Sequence, residues 1–215
     1  MMAELTAVLL TGWLHEFRAS VAAQREYLTE LDSAIGDADH GANLDRGTAA
    51  VVAAFEQAPA TRLDDLFKRT GMTLVSSVGG ASGPLFGTFF LRIGASLGPV
   101  ASTTGADFGA ALSAGLGGVE TRGKAALGEK TMLDALAPAI DAWDSAVARH
   151  KHVREAAVLA ATAAATGRDA TAPLVATKGR ASYLGERSVG HIDPGAASTT
   201  LLFEALATAL DGVGK

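Results

Sequence analysis

The chain contains no cysteine, which excludes disulfides, thiolate catalysis and cysteine-ligated zinc. Carboxylates and five histidines remain as candidate metal ligands, and this donor set favours hard cations such as magnesium or calcium over zinc. Positive charge is not in excess either, since 18 Lys and Arg stand against 23 Asp and Glu and give a net charge of −5. A chain without a basic field is a poor partner for nucleic acid, so any anionic ligand must be held locally.

Long hydrophobic runs are also lacking, because Gly, Pro or charge interrupts every apolar stretch before the roughly 18 residues that a membrane span needs. The N-terminus carries Glu4 and no basic cluster ahead of its apolar residues, which does not fit a secretory signal. We therefore expect a cytoplasmic protein without a membrane partner. With 215 residues, 48% of them hydrophobic, and no dividing linker, we expect one domain over residues 1–215.

The hydrophobic periodicity predicts an all-α fold. An amphipathic helix is expected over residues 5–31, with Gly36 as a left-handed cap and a following helix that opens at Asn43 or Asp45 and runs through Phe55. Further predicted helices cover residues 63–75, 84–97, 108–125, 131–150, 153–166 and 194–210. Strand signals are weak because Ala dominates the periodic segments and β-branched residues rarely alternate with polar ones.

Small residues at positions 109–117 predict close helix packing. The irregular stretch 177–193 is too long and too charged to serve as a mere connection.

Asp32, Asp37, Asp39 and His40 fall within nine residues. Three carboxylates beside the C-terminal end of a helix would repel one another unless a cation neutralised them. Oxygen ligands with positions left for phosphate oxygens are the usual setting for magnesium. The alternative is that Asp37 and Asp39 only cap a helix that starts near Gly41.

A glycine-rich turn occupies residues 76–85, with Ser82 or Gly83 as N-cap and Pro84 as the first helical residue. A helix N-terminus approached through Gly and Ser offers free amides and a positive dipole end, which suits a phosphate. An ordinary tight turn between helices is the alternative.

Gly118, Gly123 and Lys124 match most of a P-loop pattern, but Ala125 replaces the Ser or Thr that would bind magnesium and no strand is predicted before it. We reject this motif as a P-loop and keep Gly123 as a surface for a base or ribose.

Two further segments complete the pattern. Residues 128–134 predict capping by Thr131 with Asp134 in the first turn of a helix. Residues 178–195 place Arg180 where it could pair with a phosphate, and Asp193 and Pro194 start the last helix. A charged surface loop is the alternative for this last segment.

In order and spacing, the stretches 35–41, 77–90, 130–138 and 178–196 resemble the nucleotide-binding L subunit of dihydroxyacetone kinases. The resemblance implies a barrel of about eight antiparallel helices with the nucleotide at one end. It also implies two Mg²⁺ ions on Asp32, Asp37 and Asp39, acting in catalysis through the metal together with Arg180. The implied contacts with the nucleotide are His40, Gly41, Ala42, Asn43, Gly80, Ala81, Ser82, Gly123, Thr131, Met132, Arg180, Asp193, Pro194 and Gly195.

The sequence departs from the family pattern at Ala38, where Gly is usual, and at Ala42, where Thr is common. Neither change removes a metal ligand. A methyl group at position 38 would strain the loop if that backbone has a positive φ.

The activity implied by the resemblance is phosphoryl transfer to dihydroxyacetone held on a separate K subunit, with ADP as a cofactor that a phosphocarrier M subunit of the phosphotransferase system recharges. Such a phosphoenolpyruvate-dependent glycerone kinase would be active only with its partner subunits. The first alternative is an ATP-dependent two-subunit kinase for another small ketose or polyol. The second is a module whose nucleotide state regulates a transcriptional regulator. A homodimer is a further expectation.

Overall fold

Nine α-helices account for most of residues 4–211, which are the residues that the structure, a computed structural model, describes. The helices are α1 (Ala7–Ala23), α2 (Arg25–Ile35), α3 (His40–Gln57), α4 (Leu63–Ser77), α5 (Ser82–Leu97), α6 (Gly105–Gly123), α7 (Leu133–Ala148), α8 (Val153–Ala170) and α9 (Pro194–Leu210). A 3₁₀ segment, Arg180–Ser188, precedes α9. Two short antiparallel strands, β1 (Leu5–Thr6) and β2 (Ser102–Thr103), pair Leu5 with Thr103. The predicted all-α class is confirmed.

The helices from α4 onward begin and end within a few residues of their predicted bounds. The prediction of one long helix over residues 5–31 was wrong. This segment is two helices, α1 and α2, which meet at Gln24 with φ −105° and ψ 13°. The Gln24 amide donates to Ser20 O, and Leu28 N donates to Gln24 O. Because hydrogen bonding continues on both sides of the bend, the apolar periodicity carries no mark of it.

The helices contact one another in a closed order. The contacts run from α3 through α4, α5, α6, α7, α8 and α9 in sequence, then from α9 to α1 and from α1 back to α3, while α2 packs mainly on α3. This order agrees with the expected eight-helix barrel, whose detailed geometry stays a prediction, as does the single domain. The connections α2–α3, α4–α5, α6–α7 and α8–α9 all contribute residues to one pocket, so they meet at one end of the fold.

Aromatic side chains fill the middle of the helix assembly. The indole of Trp13 lies 5.8 to 6.2 Å, centroid to centroid, from the rings of Phe67, Phe90 and Phe108. The Trp143 ring is 5.4 Å from Phe108. These rings are fully buried and supply much of the apolar area that stabilises the fold.

The indole N–H groups have partners as well. Trp13 Nε1 donates to Leu202 O at 2.8 Å, and Trp143 Nε1 donates to Gly105 O at 3.0 Å. A buried indole N–H without an acceptor would be costly. These bonds therefore fix the axial position of α9 relative to Trp13 and of α6 relative to Trp143. Over residues 4–211, none of the helices is both long and apolar enough to cross a membrane.

The small residues of α6 are of two kinds. A Cβ added at Gly115 would lie 2.6 Å from Phe89 Cδ2, whereas one added at Gly117 would meet nothing within 4 Å. Close packing on α5 therefore depends on Gly115 and not on Gly117.

We expect Gly115→Ala to destabilise the protein by about 1–3 kcal/mol through overpacking against Phe89. Gly117→Ala, on the same helix, should stabilise it by about 0.5–1 kcal/mol because Ala loses less backbone entropy than Gly. Urea denaturation of both variants measures the difference. Equal shifts in the same direction would show that α6 does not approach α5 through Gly115.

Candidate functional site

The three aspartates singled out by the sequence converge at the junction of α2 and α3. Each offers one carboxylate oxygen, and these oxygens all lie within 4.8 Å of one another. Asp32 belongs to the last turn of α2 and is 8% exposed, while Asp37 and Asp39 lie in the following loop. Hard oxygen donors at this spacing fit a magnesium or calcium ion.

The buried Asp32 carboxylate also caps the next helix. Its Oδ2 accepts hydrogen bonds from the amides of Asp39 at 2.8 Å and His40 at 3.1 Å. Two free N–H groups at the start of α3 are thereby satisfied. The helix begins at His40, so the predicted start at Asn43 or Asp45 was wrong, because the cap is supplied by α2. Asp39 occupies the N-cap position but makes no side-chain cap hydrogen bond, which leaves its carboxylate available to a cation.

Gly36 is needed at this junction for a reason other than the predicted one. Its φ is −141°, so it is not a left-handed cap. A Cβ at this position would instead overlap the carboxylate of Asp32. The missing side chain gives Asp32 the space from which it reaches both the loop amides and its two neighbouring carboxylates.

Ala38, between the two loop aspartates, has a φ of 61°. An L-residue with a side chain pays about 1–2 kcal/mol in this left-handed region. The condition under which the methyl group strains the loop is therefore met.

His40 connects the beginnings of three helices. Its ring is buried, with Nδ1 3.0 Å from Ser82 Oγ on α5 and Nε2 3.0 Å from Ser198 Oγ on α9. The Ser198 hydroxyl donates its hydrogen to Gly195 O. His40 Nε2–H therefore donates a hydrogen bond to Ser198 Oγ, and Nδ1 accepts one from the Ser82 hydroxyl. Burial lowers the pKa of His40, although the charges of Asp32 and Asp39 oppose this effect. A neutral ring satisfies the whole network.

The glycine-rich turn lies next to this histidine. Gly80 has a φ of 66°, a backbone conformation that favours glycine. The helix that follows begins at Ser82 with Ala81 as N-cap, two residues earlier than the predicted start at Pro84. The positive end of α5 is thus directed at the same pocket as the aspartates, which suits a phosphate group.

Another part of the pocket wall comes from the α6–α7 loop and the start of α9. The Thr131 amide donates to Asp134 Oδ2 at 2.7 Å, and Leu133 N donates to Thr131 Oγ1 at 3.2 Å. Asp134 lies in the first turn of α7 as predicted, but the N-cap is Met132, one residue after the predicted Thr131. Asp193 caps α9 by accepting from Ala196 N at 2.7 Å, as predicted. Burial, with a smaller contribution from the charge of Asp134, raises the pKa of Asp193 to about 7.

These walls enclose a pocket of about 490 Å³. Of the predicted site residues, the lining includes Asp32, Asp37, Asp39, His40, Gly80, Ala81, Ser82, Gly123, Thr131, Met132, Arg180, Asp193, Pro194 and Gly195. The lining combines carboxylates with apolar side chains such as Leu85, Val119 and Met132. A ligand with both charged and apolar groups fits this lining.

Three predicted contacts, Gly41, Ala42 and Asn43, are not among the lining residues. Gly41 packs against the backbone of α2, where a Cβ would overlap Arg25 O. Asn43 supports the glycine-rich turn, since a Cβ on Gly79 would lie 2.9 Å from Asn43 Nδ2. Their direct contact with a nucleotide stays a prediction.

The pocket also contains basic side chains that the sequence motifs alone did not assign to it. Arg122, Lys178 and the buried Lys130 line it together with Arg180. Arg180 Nη2 is 2.9 Å from Asp37 Oδ2, so the guanidinium already reaches the carboxylate cluster. A chain with a net charge of −5 thus carries local positive charge where an anionic ligand would enter. The arrangement is typical of a domain that binds a nucleotide through a carboxylate-held cation.

The comparisons with known proteins agree with this description. Residues 34–208 match the DAK2 domain family. The chain is 45% identical over 195 residues to the ADP-binding subunit DhaL of PEP-dependent dihydroxyacetone kinase 1 of Listeria innocua, covering 90% of this chain and 92% of that protein. It is 43% identical over 208 residues to the ADP-binding subunit DhaL of Escherichia coli, covering 95% and 98%. The chain therefore belongs to the DAK2 domain family.

Solved structures give the same answer for the fold. The dihydroxyacetone kinase of C. freundii superposes with a TM-score of 0.73 at 29% identity, over 94% of this chain and 34% of that longer chain. A structure of the same kinase in complex with AMP-PNP and Mg²⁺ gives a TM-score of 0.72 at 28% identity, also over 94% of this chain and 34% of that chain.

We expect Ala38→Gly to stabilise the protein by about 1 kcal/mol, because glycine adopts a positive φ without the Cβ penalty. For a chain of this size the melting temperature should rise by about 2–4 °C. Ala34→Gly, at an exposed position inside α2, is the matched control and should destabilise by about 1 kcal/mol. A drop in melting temperature for both variants would mean that the loop does not hold position 38 in the left-handed region.

Proposed function

We propose that this chain is the nucleotide-binding subunit of a dihydroxyacetone kinase, with ADP as its bound cofactor and phosphoenolpyruvate as the ultimate phosphoryl donor. The observation that carries the proposal is the meeting of three aspartates, a glycine-rich helix start and Arg180 around one pocket. Relatives that match this chain over nearly their whole length are named as ADP-binding subunits, which supports the same role for this chain.

The aspartate cluster fits Mg²⁺ by its chemistry. Asp32 is held in place by the hydrogen bonds that it accepts from two amides. Asp37 and Asp39 lie in a short loop whose ends are fixed by α2 and α3. We assign two magnesium ions to these three carboxylates. Bound there, magnesium would neutralise the phosphate oxygens and align the transferring group.

The remaining residues position the nucleotide. The α5 N-terminus and the Ala81–Ser82 backbone are placed to receive phosphate oxygens, and Arg180 can exchange its contact with Asp37 for a bidentate contact with phosphate. Leu85, Val119 and Met132 offer an apolar surface to the base. Phosphoryl transfer of this kind needs positioning and charge neutralisation more than covalent participation by the protein.

The acceptor and the donor are assigned to partner chains. We infer that a K subunit holds dihydroxyacetone and that an M subunit of the phosphotransferase system recharges ADP. The Lactococcus lactis relative, 42% identical over 202 residues, is named as PTS-dependent, which supports this donor. The second candidate, an ATP-dependent kinase, is favoured by the AMP-PNP complex of the C. freundii enzyme. The higher identity to separately encoded subunits favours the first.

We expect Asp37→Asn to weaken the magnesium-dependent binding of ADP by at least about 10–100-fold, the loss that follows even when groups that only support metal ligands are removed. Asp141→Asn, an exposed aspartate on α7 outside the pocket, is the charge-matched control and should bind normally. Isothermal titration calorimetry with ADP and MgCl₂ measures both. Unchanged affinity in the Asp37 variant would remove this cluster from the nucleotide site.

Reconstitution with K and M subunits separates the donor hypotheses. With phosphoenolpyruvate and the general phosphotransferase proteins, the complete system should phosphorylate dihydroxyacetone, and ATP without M should not replace them. Turnover with ATP and the K subunit alone would favour the ATP-dependent kinase. ADP binding without turnover from either donor would favour a regulatory module that acts on a transcriptional regulator.

Light scattering during these assays tests the proposed homodimer.

A further inference from the structure

Lys130 is a buried cation in the lining of the nucleotide pocket. Its side chain is 1% exposed. Its Nζ donates to Thr171 O at 2.5 Å, to Ala172 O at 3.3 Å and to His191 O. An ammonium group has three N–H donors and no acceptor, so these three carbonyls use its whole hydrogen-bonding capacity. The ammonium is therefore committed to the protein and has no proton left to offer a bound nucleotide.

The three carbonyls come from two segments that are distant in sequence from Lys130. Thr171 and Ala172 follow the C-terminus of α8, where free carbonyls and the negative end of the helix dipole attract a cation. His191 lies two residues before Asp193, the N-cap of α9. Lys130 thus ties its own loop to the end of one helix and to the approach of another.

Each tied segment leads directly to the pocket. Thr131 and Met132, which follow Lys130, line it, and so do Asp193, Pro194 and Gly195, which follow His191. The α8 end joins the same network, because Thr171 Oγ1 accepts from Asp193 N at 3.0 Å and Ala172 O also accepts from Gly190 N at 2.8 Å. The ammonium group therefore joins the loop before Thr131 to the α8 end and to the approach of α9, which are also bonded directly to each other.

The backbone at Lys130 is left-handed as well, with a φ of 61°. A residue with a side chain is disfavoured there, and glycine would be the ordinary choice for such a turn. The chain keeps a strained lysine where glycine would relieve the backbone. This observation indicates that the side chain contributes something at this position that the backbone does not require.

We propose that Lys130 is a positioning residue for the nucleotide, which holds the 131–132 and 193–195 segments at the separation that the ligand needs while its ammonium donates no hydrogen bond to the ligand. This inference rests on the proposed function only for the identity of the ligand, ADP with magnesium. The charge has a second role: burial lowers the pKa of Lys130, but the carboxyl charges of Asp193 and Asp134 oppose that effect, and the ammonium in turn offsets part of the cost of burying Asp193 beside an anionic ligand.

Two substitutions separate positioning from a role in the fold alone. Lys130→Met keeps the length of the side chain and the left-handed strain but removes the ammonium, whereas Lys130→Gly removes both the ammonium and the strain. We expect both variants to bind ADP with magnesium roughly 10–100-fold more weakly than the wild type, in line with the loss of groups that support a ligand site. The melting temperature of the glycine variant should exceed that of the methionine variant.

Lys151→Met is the matched control. Lys151 precedes α8 and pairs with Glu155 on its first turn, about 27 Å along the helix from its C-terminal end. The Lys151→Met variant should bind ADP like the wild type. Calorimetry is performed at 25 °C after circular dichroism has shown that each variant is folded.

Hydrogen exchange gives a readout that a purely structural role would not move. In the nucleotide-free variants, the amides of Thr131, Gly190 and Asp193 should exchange faster than in the wild type, while the core of α9 around Leu202 and Phe203 exchanges at the wild-type rate. Uniformly faster exchange throughout the chain would indicate a loss of global stability and would overturn the proposal.

The remaining outcomes are equally decisive. If either folded variant binds ADP within twofold of the wild type, Lys130 does not position the nucleotide. If both variants fail to fold, Lys130 belongs to the fold and the proposal is overturned. If the wild type itself binds no ADP, the proposed function fails, while the exchange experiment still decides whether Lys130 ties these loops together.

Discussion

The pair of hydrogen bonds from the Asp39 and His40 amides to the Asp32 carboxylate is the constraint on which the site depends. It joins the end of one helix to the start of the next and fixes Asp32 inside the protein. Without these bonds, the buried Asp32 carboxylate would lack hydrogen-bond donors. Asp37 and Asp39 would then have no fixed third carboxylate with which to share a cation. Gly36 makes the contact possible, since any side chain there would overlap Asp32. The same bonds orient α3 so that His40 reaches Ser82 and Ser198.

The sequence was sufficient for the fold class and for most helices because local signals and tertiary packing agree there. Pro194 after Asp193 marks the start of α9 by capping chemistry alone. The failures occur where periodicity carries no mark of the boundary. The start of α3 was misplaced because its cap comes from Asp32 on α2, and the break at Gln24 was missed because helical hydrogen bonds are made on both sides of it. Propensity and periodicity contain no information about either.

The candidate site follows the same rule. The carboxylates were found because three Asp in eight residues repel one another unless a cation lies among them, and the glycine-rich turn because Gly and Ser precede Pro84 at a predicted helix start. Lys130 was passed over as a functional residue because its partners are backbone carbonyls 41, 42 and 61 residues away. Backbone acceptors have no residue identity, so no sequence pattern can point to them. A lysine with a left-handed backbone is visible only in three dimensions.

Charge explains why the two halves of the site are built differently. The phosphate side collects Asp32, Asp37 and Asp39, which repel one another and become favourable only with a cation among them. The wall around the start of α9 contains Asp193, whose pKa burial raises to about 7, and it has a cation of its own in Lys130. A carboxyl in the first setting must stay ionised to hold a metal, whereas one in the second must cap a helix beside an anion. An exchangeable ion suits the first task and a covalently attached ammonium suits the second, because the wall must keep its shape when the nucleotide and its metal leave.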